Sequence, residues 1–401
     1  MILKSVTTKA VELDDEVFKT LLNFYPEEKL TEHEVFKNAF EKGSITFNEL
    51  KDISEKIHLP WQMFLLDENN LKKELKNIED NRLDKFPKDL LTIHKRKGRG
   101  DTTSKRIIDR QIRIQSFVVL QLPDNFMCDF SGSLKSKSIQ EAVNYIINYF
   151  NIDLNYFRTR DSAEKSKEYL IEKIQGKENI NISQGVRTNG ILPEIKNTFD
   201  LYRNTSGFVV KDKKIPFVFL PSEINPDENH FRQIYTLLYL LVVIGMEEYS
   251  HSIESYSIKK IKDDKKFKLM NDVVSEFLLP KSVTDNIKTE NINKELINNL
   301  KEQYKISYTA ILFILRFRKK IDKELQELLK LPEREPSIFQ DIKKWFTHPH
   351  ISTSVKKFCG DVAFNKVNTA IKNNSIYPNQ AQMIIFGRFR KEKWIEYRSE
   401  I

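Results

Sequence analysis

Side chains that could bind a metal flank the most apolar stretch of the chain. Residues 234–246 form a run of thirteen, IYTLLYLLVVIGM, with His230 before it and Glu247, Glu248 and His251 after it. Glu247 and His251 are four residues apart, a spacing that places both side chains on one face of a helix. The sequence offers no matched second pair of ligands, so we interpret these residues as a solvated helix end rather than a metal site.

The evidence for other catalytic or metal-binding sites in the sequence is equally weak. His348 and His350 flank a proline, which predicts a loop, and the further ligands that a protein metal site needs are missing there. The sequence contains no Gly-rich phosphate loop and no nucleophile elbow. The only cysteines, Cys128 and Cys359, are interpreted as packing residues. We therefore predict no catalytic residue, no metal and no other cofactor.

The strongest charge signal is a basic window, defined here as residues 94–113, HKRKGRGDTTSKRIIDRQIR. It carries eight Lys or Arg against two Asp, a net charge of +6 in a chain of net charge +9. Such a cluster can neutralise phosphates. A solvated linker between domains explains the same residues, and the sequence leaves both interpretations open. The candidate nucleic-acid-binding residues are Lys95, Arg96, Lys97, Arg99, Lys105 and Arg106, with Arg110 and Arg113 as further phosphate contacts.

Composition limits the class of protein. The chain has 401 residues, of which 40% are hydrophobic and 31% are charged, so we expect two or three domains with real cores. Two cysteines exclude a disulfide scaffold and fit a reducing cytoplasm. Thirteen consecutive apolar residues fall short of the roughly 20 that span a membrane, and the N-terminus has no apolar signal core. These features predict a cytoplasmic protein without a membrane span.

Apolar periodicity and turn residues predict a mostly helical chain with one small β region. In the basic window, Ile107, Ile108, Ile112 and Ile114 predict a helix with one buried face. Residues 281–401 are predicted to be helical, with breaks at Pro332, Pro336, Pro349 and Pro378. The other predicted elements are helices over 14–23, 31–43, 46–60, 139–150, 163–175, 228–246 and 266–279, a strand over 179–183, and a hairpin of strands 208–210 and 216–220.

The order strand, hairpin, apolar helix and second helix resembles the ImmA/IrrE-type zincin-like proteins, which pair a metallopeptidase-like domain with an N-terminal XRE-type helix-turn-helix. Their helix F-T-L-A-H-E-L-x-H is similar to YTLLYLLVV at 235–243, and their C-N-x-V-A-A-E-x-L-V-P is similar to MNDVVSEFLLP at 270–280. Upstream, PFVFLPS resembles the strand that leads into the zinc helix. Residues 40–68 resemble the end of the XRE-type domain, and 364–385 resemble the family's C-terminal tail.

This chain departs from that family at the residues that perform the chemistry. In the family, two His four residues apart bind zinc, and the Glu between them acts as general base. Those positions fall on Tyr239, Val243 and Leu240, respectively. The third family ligand, a Glu at the start of the next helix, falls within KFKL at 266–269, which has no carboxylate. We therefore expect the former zinc helix to be part of the core.

The resemblance implies an α+β, mostly helical fold of four segments. Residues 1–66 would form an XRE-like helical remnant, and 67–138 a polar and basic connecting region. Residues 139–285 would form a metal-free zincin-like domain with a small β-sheet, and 286–401 a helical C-terminal domain.

By the same resemblance, the chain would be a non-catalytic regulatory or binding protein of a mobile-element, antitoxin-like or phage-defence system. Its zincin-like fold would serve as a scaffold for a protein partner, a toxin or a repressor. Two alternatives stay open: a divergent metallopeptidase that acts on a repressor, and a nucleic-acid-binding regulator that acts through the basic window. Acidic residues such as Glu32 and Glu34 would repel phosphate and so weaken DNA binding by the N-terminal helices. Binding to DNA and binding to a protein both stay open for these helices.

The basic window carries the first prediction. If Lys95, Arg96, Lys97 and Arg99 contact phosphates, changing all four to Ala should weaken DNA and RNA binding at every sequence tested, because phosphate contacts carry no sequence information. The slope of log affinity against log salt should fall by about 0.9 per lost contact on duplex DNA. Gel-shift titrations at two salt concentrations measure both effects. Equal binding and an equal slope for the parent and the variant would remove this window as the contact surface.

Overall fold

A computed structural model of the chain describes residues 2–4, 11–12, 14–17, 21, 43–50, 61–80, 91–95, 102–186, 205–221, 226–249, 253–254, 265–330, 350–386 and 391–401. The chain divides into two compact units, Met1–Phe86 and Pro87–Ile401. The division into four segments made from the sequence stays a prediction.

The first unit contains a small sheet that the sequence analysis missed. Strand β1 (Ile2–Lys4) pairs antiparallel with β2 (Val11–Glu12) and parallel with β3 (Ser44–Thr46). The prediction that residues 1–66 are all helical is therefore wrong at these three strands. Strands of two or three residues are too short to show an alternating pattern in the sequence. Helix α1 (Glu68–Asp80) follows a 3₁₀ turn that buries Met63 and Phe64.

Two of the three helices predicted in the first unit are observed in part. Residues 15–17 and 21 are helical, and so are 47–50. Thr46 caps the second start: its N–H donates to the Glu49 carboxylate (2.7 Å), and the Glu49 N–H donates to its hydroxyl (3.3 Å). The helix predicted over 31–43 lies outside the described residues, apart from Gly43, which is in a turn.

The second unit is mostly helical and holds one mixed sheet. Its strands are β4 (Leu91–Lys95), β5 (Asn181–Gln184), β6 (Thr205–Val210), β7 (Phe217–Leu220) and β8 (Ile253–Glu254). Its helices are α2 (Thr102–Leu120), α3 (Ile139–Tyr149), α4 (Leu154–Arg158), α5 (Ala163–Gln175), α6 (Pro226–Met246), α7 (Lys265–Leu278), α8 (Lys281–Asp285), α9 (Lys294–Tyr304), α10 (Tyr308–Phe317), α11 (Lys323–Leu329), α12 (Ile351–Cys359), α13 (Asp361–Lys372), α14 (Pro378–Phe386) and α15 (Lys391–Glu400).

The strand order is β5-β7-β6-β4-β8. The predicted hairpin is confirmed as the antiparallel pair β6–β7, and the predicted strand near 179–183 is confirmed as β5, parallel to β7. Strands β4 and β8 were not predicted. β4 overlaps the basic window, and its alternating pattern is hidden by the polar residues around it.

The sheet lies between two layers of helices. Because alternate residues of each strand face opposite sides, each strand packs against both layers. On one side, Gly207 of β6 allows α6 to approach closely: a Cβ there would lie 3.0 Å from Thr236 and 3.1 Å from Leu240. On the other side, the ring of Phe219 packs edge-on against Phe358 of α12, with centroids 6.2 Å apart. Helix α2 also covers this second face, where Gln115 donates to the Val210 carbonyl (3.0 Å).

Helix α6 is the centre of the second unit, and its predicted extent is confirmed to within two residues. Every side chain from Gln233 to Met246 is buried, and each buried Leu, Ile or Val contributes about 1.5–3 kcal/mol to stability. Its carboxyl end is covered as well, since the N–H groups of Gly132 and Leu134 donate to the carbonyls of residues 244 and 245 (3.2 and 2.8 Å). In the part of the chain that the structure describes, no helix is long and apolar enough to cross a membrane.

A buried polar network joins β5 to the corner between α12 and α13. The side chain of Asn181 donates to the Cys359 carbonyl (2.7 Å) and accepts from the Ala363 N–H (3.1 Å). Ser183 donates to the same carbonyl (3.0 Å). Gly360 makes the corner with a φ of +82°, and a Cβ there would lie 2.5 Å from the Asn181 amide.

The second prediction tests this corner. Gly360→Ala should lower the free energy of unfolding by about 2–4 kcal/mol, because the added methyl group is strained at positive φ and overlaps Asn181. Denaturant unfolding measures the change. Gly176→Ala is the control: its φ of −60° suits alanine and its Cβ would lie 3.2 Å from the Glu172 carbonyl, a milder contact than at Gly360, so we expect a change of about 1 kcal/mol or less. Equal unfolding curves for the two variants would contradict the packing at this corner.

Candidate functional site

The positions that would hold zinc in an ImmA/IrrE-type protein are buried side chains of α6, and one of them, Tyr239, packs against α7. Tyr239 is 1% exposed, and Leu240 and Val243 are 0% exposed. The Tyr239 hydroxyl lies 3.8 Å from the sulfur of Met270, and its ring packs edge-on against Phe267, with centroids 6.1 Å apart. Apolar side chains and one phenol therefore fill the volume that a metal and its water would need.

The residues at these positions do not fit a zinc ion. Zinc in proteins takes thiolate, imidazole or carboxylate ligands, whereas Leu240 and Val243 offer none. The start of α7, where the third ligand would stand, instead contributes Phe267, which is 8% exposed and packs against Tyr239. Among the described residues, no group of three or more His, Cys, Asp or Glu lies close enough to hold a metal.

The other candidate ligands have structural partners. His230 Nδ1 lies 3.2 Å from the buried Lys167 ammonium, which also donates to Gln233 (2.8 Å), so these side chains link α5 to α6. Glu247 accepts from Lys135, and this hydrogen bond lowers the pKa of its carboxyl group. His350 lies 3.4 Å from Glu400. His251 and His348 lie outside the described residues.

Both cysteines are buried, in keeping with their interpretation as packing residues. Burial raises the pKa of the Cys128 thiol to about 11 and that of Cys359 to about 12. At neutral pH both are therefore protonated thiols, and a thiol is a far weaker nucleophile than a thiolate.

The structure corrects one residue of the basic window. Arg110 is only 6% exposed; its guanidinium donates to the carbonyls of Ile384 and Ile385 in α14 and lies over the Phe358 ring. It therefore packs helices together, and its proposed phosphate contact is wrong. The predicted helix with a buried face is confirmed as α2, which buries Ile107, Ile108 and Ile114.

The six candidate nucleic-acid-binding residues stay predictions. Lys95 ends β4, and Lys105 and Arg106 belong to the first turns of α2, but their side chains lie outside the described part of the structure. Arg96, Lys97 and Arg99 lie wholly outside it.

A cleft of about 470 Å³ between the two helix layers, called the charged cleft here because acidic and basic side chains line it, was not predicted. One wall is acidic and consists of Glu168 and Glu172 on α5, with Glu178 just after that helix. The facing wall is basic, with Lys356 and Lys357 on α12 and Lys366 on α13. The spacing of Glu168 and Glu172 indicates a shared helix face, but no sequence pattern indicates that α12 packs beside β5, about 180 residues away.

Comparisons of the chain with protein-family models, with curated proteins and with solved structures found no match. The similarity to ImmA/IrrE-type proteins therefore rests on the motifs and on the order of the elements alone.

The third prediction tests the filled interface. Val243→Asp should destabilise the fold by about 3–5 kcal/mol at pH 7, because it buries a carboxylate without a partner. Burial raises the folded-state pKa of such a carboxyl above its unfolded value of about 3.9. The charge penalty is therefore absent below about pH 4 and grows as the pH rises toward the folded-state pKa.

Thermal melting of parent and variant at pH 4 and pH 7 measures both effects. Lys265→Asp is the matched control, because Lys265 is exposed in the first turn of α7, where an acid is favourable. A melting temperature unchanged in Val243→Asp at pH 7 would contradict the burial of this position.

Proposed function

We propose that this chain is a non-catalytic binding protein, in which a fold like that of the ImmA/IrrE-type metallopeptidases serves as a scaffold for a protein partner. The observation that carries the proposal is the burial of Tyr239, Leu240 and Val243, the α6 residues at the family's zinc-ligand and base positions. A hydrolytic zinc site keeps one coordination position open for water. The three positions are 0–1% exposed, and Tyr239 packs against Met270 and Phe267, so they provide none.

The order of the elements supports the same proposal. A strand (β5), a hairpin (β6–β7), the buried helix α6 and the second helix α7 follow one another along the chain. That is the order on which the resemblance rests. Tyr235 joins the two helices further, because its hydroxyl donates to the Asn271 side chain (2.9 Å). The helix pair that frames the metal in the family is here a closed packing contact.

The resemblance also supplies the proposed biological setting. Proteins of this type often occur on mobile elements, so the chain would act as an antitoxin-like, regulatory or phage-defence component. Its partner would be a toxin or a repressor. A scaffold role requires an accessible surface with specific chemistry, and the charged cleft beside β5 is such a surface.

The fourth prediction separates a scaffold from a metallopeptidase. Protein purified without chelator should contain well under one zinc per chain, and added zinc should not produce hydrolysis of unfolded protein substrates. Tyr239→Phe is the control variant: it removes the phenol oxygen, the only polar side-chain atom at the three positions, and should change neither result. Chelator-sensitive hydrolysis that is lost in His230→Ala would overturn the proposal.

A binding assay completes the test. The product of the neighbouring reading frame should bind the purified chain equally well with and without a chelator, because no metal takes part. Binding that is lost on addition of the chelator and restored by zinc would contradict a metal-free scaffold.

A further inference from the structure

Strand β5 lies at the edge of the five-stranded sheet and pairs only with β7 among the described strands. The N–H of Asn181 donates to the Pro216 carbonyl (3.1 Å), and that of Gly185 donates to the Leu220 carbonyl (2.8 Å). In a parallel ladder, alternate residues of a strand bond to the same neighbour. The N–H and C=O groups of Ile182 and Gln184 therefore point away from β7, toward the outer edge of the sheet.

Only part of this outer edge has a partner. The Ile182 N–H donates to the side chain of Gln175 (3.2 Å), which also accepts from the Asp361 N–H (2.9 Å). Within the described part of the chain, the Ile182 carbonyl and both peptide groups of Gln184 have none. Gln184 is partly exposed and lines the charged cleft. Such an edge is a template for another strand.

Among the described residues, the cleft is open beside Gln184, whereas the Gln175 side chain closes the edge at the Ile182 N–H. It is bounded on both sides. Helix α5 forms one wall and the α12–α13 corner forms the other, because these helices belong to the two layers that cover the sheet. The walls therefore stand above and below the plane of the sheet, where the side chains of an added strand would point. The lining includes no residue of α6 or α7, so the cleft is separate from the former zinc positions.

The two walls have opposite charge. Glu168, Glu172 and Glu178 are exposed on the α5 side, and within the described residues none of them has an ion-pair partner. On the other side, Lys357 and Lys366 also lack one in that part of the chain, whereas Lys356 pairs with Asp361 (3.3 Å). A ligand of a single charge would be repelled by one wall.

We propose that an extended segment of a partner protein adds to the β5 edge in this cleft, with basic and acidic side chains alternating along it. Successive side chains of a strand point to opposite faces. Lys or Arg at every second position would therefore face the α5 glutamates, and Asp or Glu at the positions between them would face Lys357 and Lys366. Main-chain hydrogen bonds to the N–H and carbonyl of Gln184 and to the carbonyl of Ile182 would provide affinity, and the alternating charges would set the register.

This inference rests on the proposed scaffold function and names how its partner is recognised. The scaffold function and this mode of partner binding can be disproved by different results. Chelator-sensitive hydrolysis would remove the scaffold function, whereas failure of the peptide experiments below would remove only this mode of binding.

The test uses the full chain and labelled synthetic peptides of identical composition. One peptide alternates Lys and Glu over eight residues, and the other has its Lys and Glu in two blocks. Fluorescence anisotropy should show the alternating peptide binding about tenfold more tightly, because only it presents one charge to each wall. Equal affinities of the two peptides would overturn the proposal. So would the absence of binding by the alternating peptide at roughly 1 mM, which is also the result expected if the chain itself or a second copy covers this edge.

Backbone methylation tests strand pairing itself. Two further alternating peptides carry N-methyl groups on the odd or on the even positions, which removes N–H donors without changing charge. Because only alternate residues of an added strand bond to β5, one of these peptides should lose binding and the other should keep it. Equal binding by both would mean that charge alone attracts the peptide, and would overturn strand addition.

A charge-reversed protein locates the site. The double variant Lys357→Glu with Lys366→Glu should bind the alternating peptide about tenfold more weakly, because two attractions become repulsions. Lys372→Glu is the control on α13, the helix that also carries Lys366. Lys372 is exposed and does not line the cleft, so binding should be unchanged. Circular dichroism checks that each variant folds. An unchanged affinity in the folded double variant would place the peptide elsewhere.

Discussion

The burial of α6 is the constraint on which the rest of the second unit depends. A helix whose side chains are buried continuously from Gln233 to Met246 must be covered on every side. The sheet covers one side, and Gly207 has no side chain at the point where the helix crosses β6. Helices α5 and α7 pack on its flanks, and residues 130–135 cover its carboxyl end. A polar metal centre within this helix would leave polar groups that the apolar surroundings cannot satisfy.

The same layered packing produces the charged cleft. Helix α5 belongs to the layer of α6, whereas α12 and α13 cover the opposite face of the sheet. Asn181 and Ser183 hold the α12–α13 corner against β5 through buried hydrogen bonds. Since both layers extend past the last strand, their outer charged faces meet across its free edge. Stability and the proposed recognition surface thus arise from one arrangement: β5 carries buried polar side chains on one face, and the main-chain groups of Gln184 on its outer edge have no partner among the described residues.

Long periodic elements were predictable from the sequence, and contacts between distant segments were not. The apolar run, the strand–turn–strand pattern at 208–220 and the amphipathic pattern over 139–150 placed α6, the hairpin and α3 to within one to three residues. The short strands of the first unit and β8 fell below the length at which a period can be seen. Arg110 was assigned to phosphate because its charge is visible in the sequence, whereas its burial against Phe358 depends on α12 and α14, more than 240 residues away. The charged cleft was missed for the same reason.

Hydrogen exchange of the α6 amides, with and without a chelator, is the most direct measurement of whether this helix is core or a metal-binding element. Buried core helices exchange only through global unfolding, whereas elements around a functional site open at lower cost. We predict that amides 233–246 exchange at the slowest rates in the second unit and that chelator leaves those rates unchanged. Fast exchange around Tyr239 and Val243, or acceleration by chelator that zinc reverses, would contradict the account.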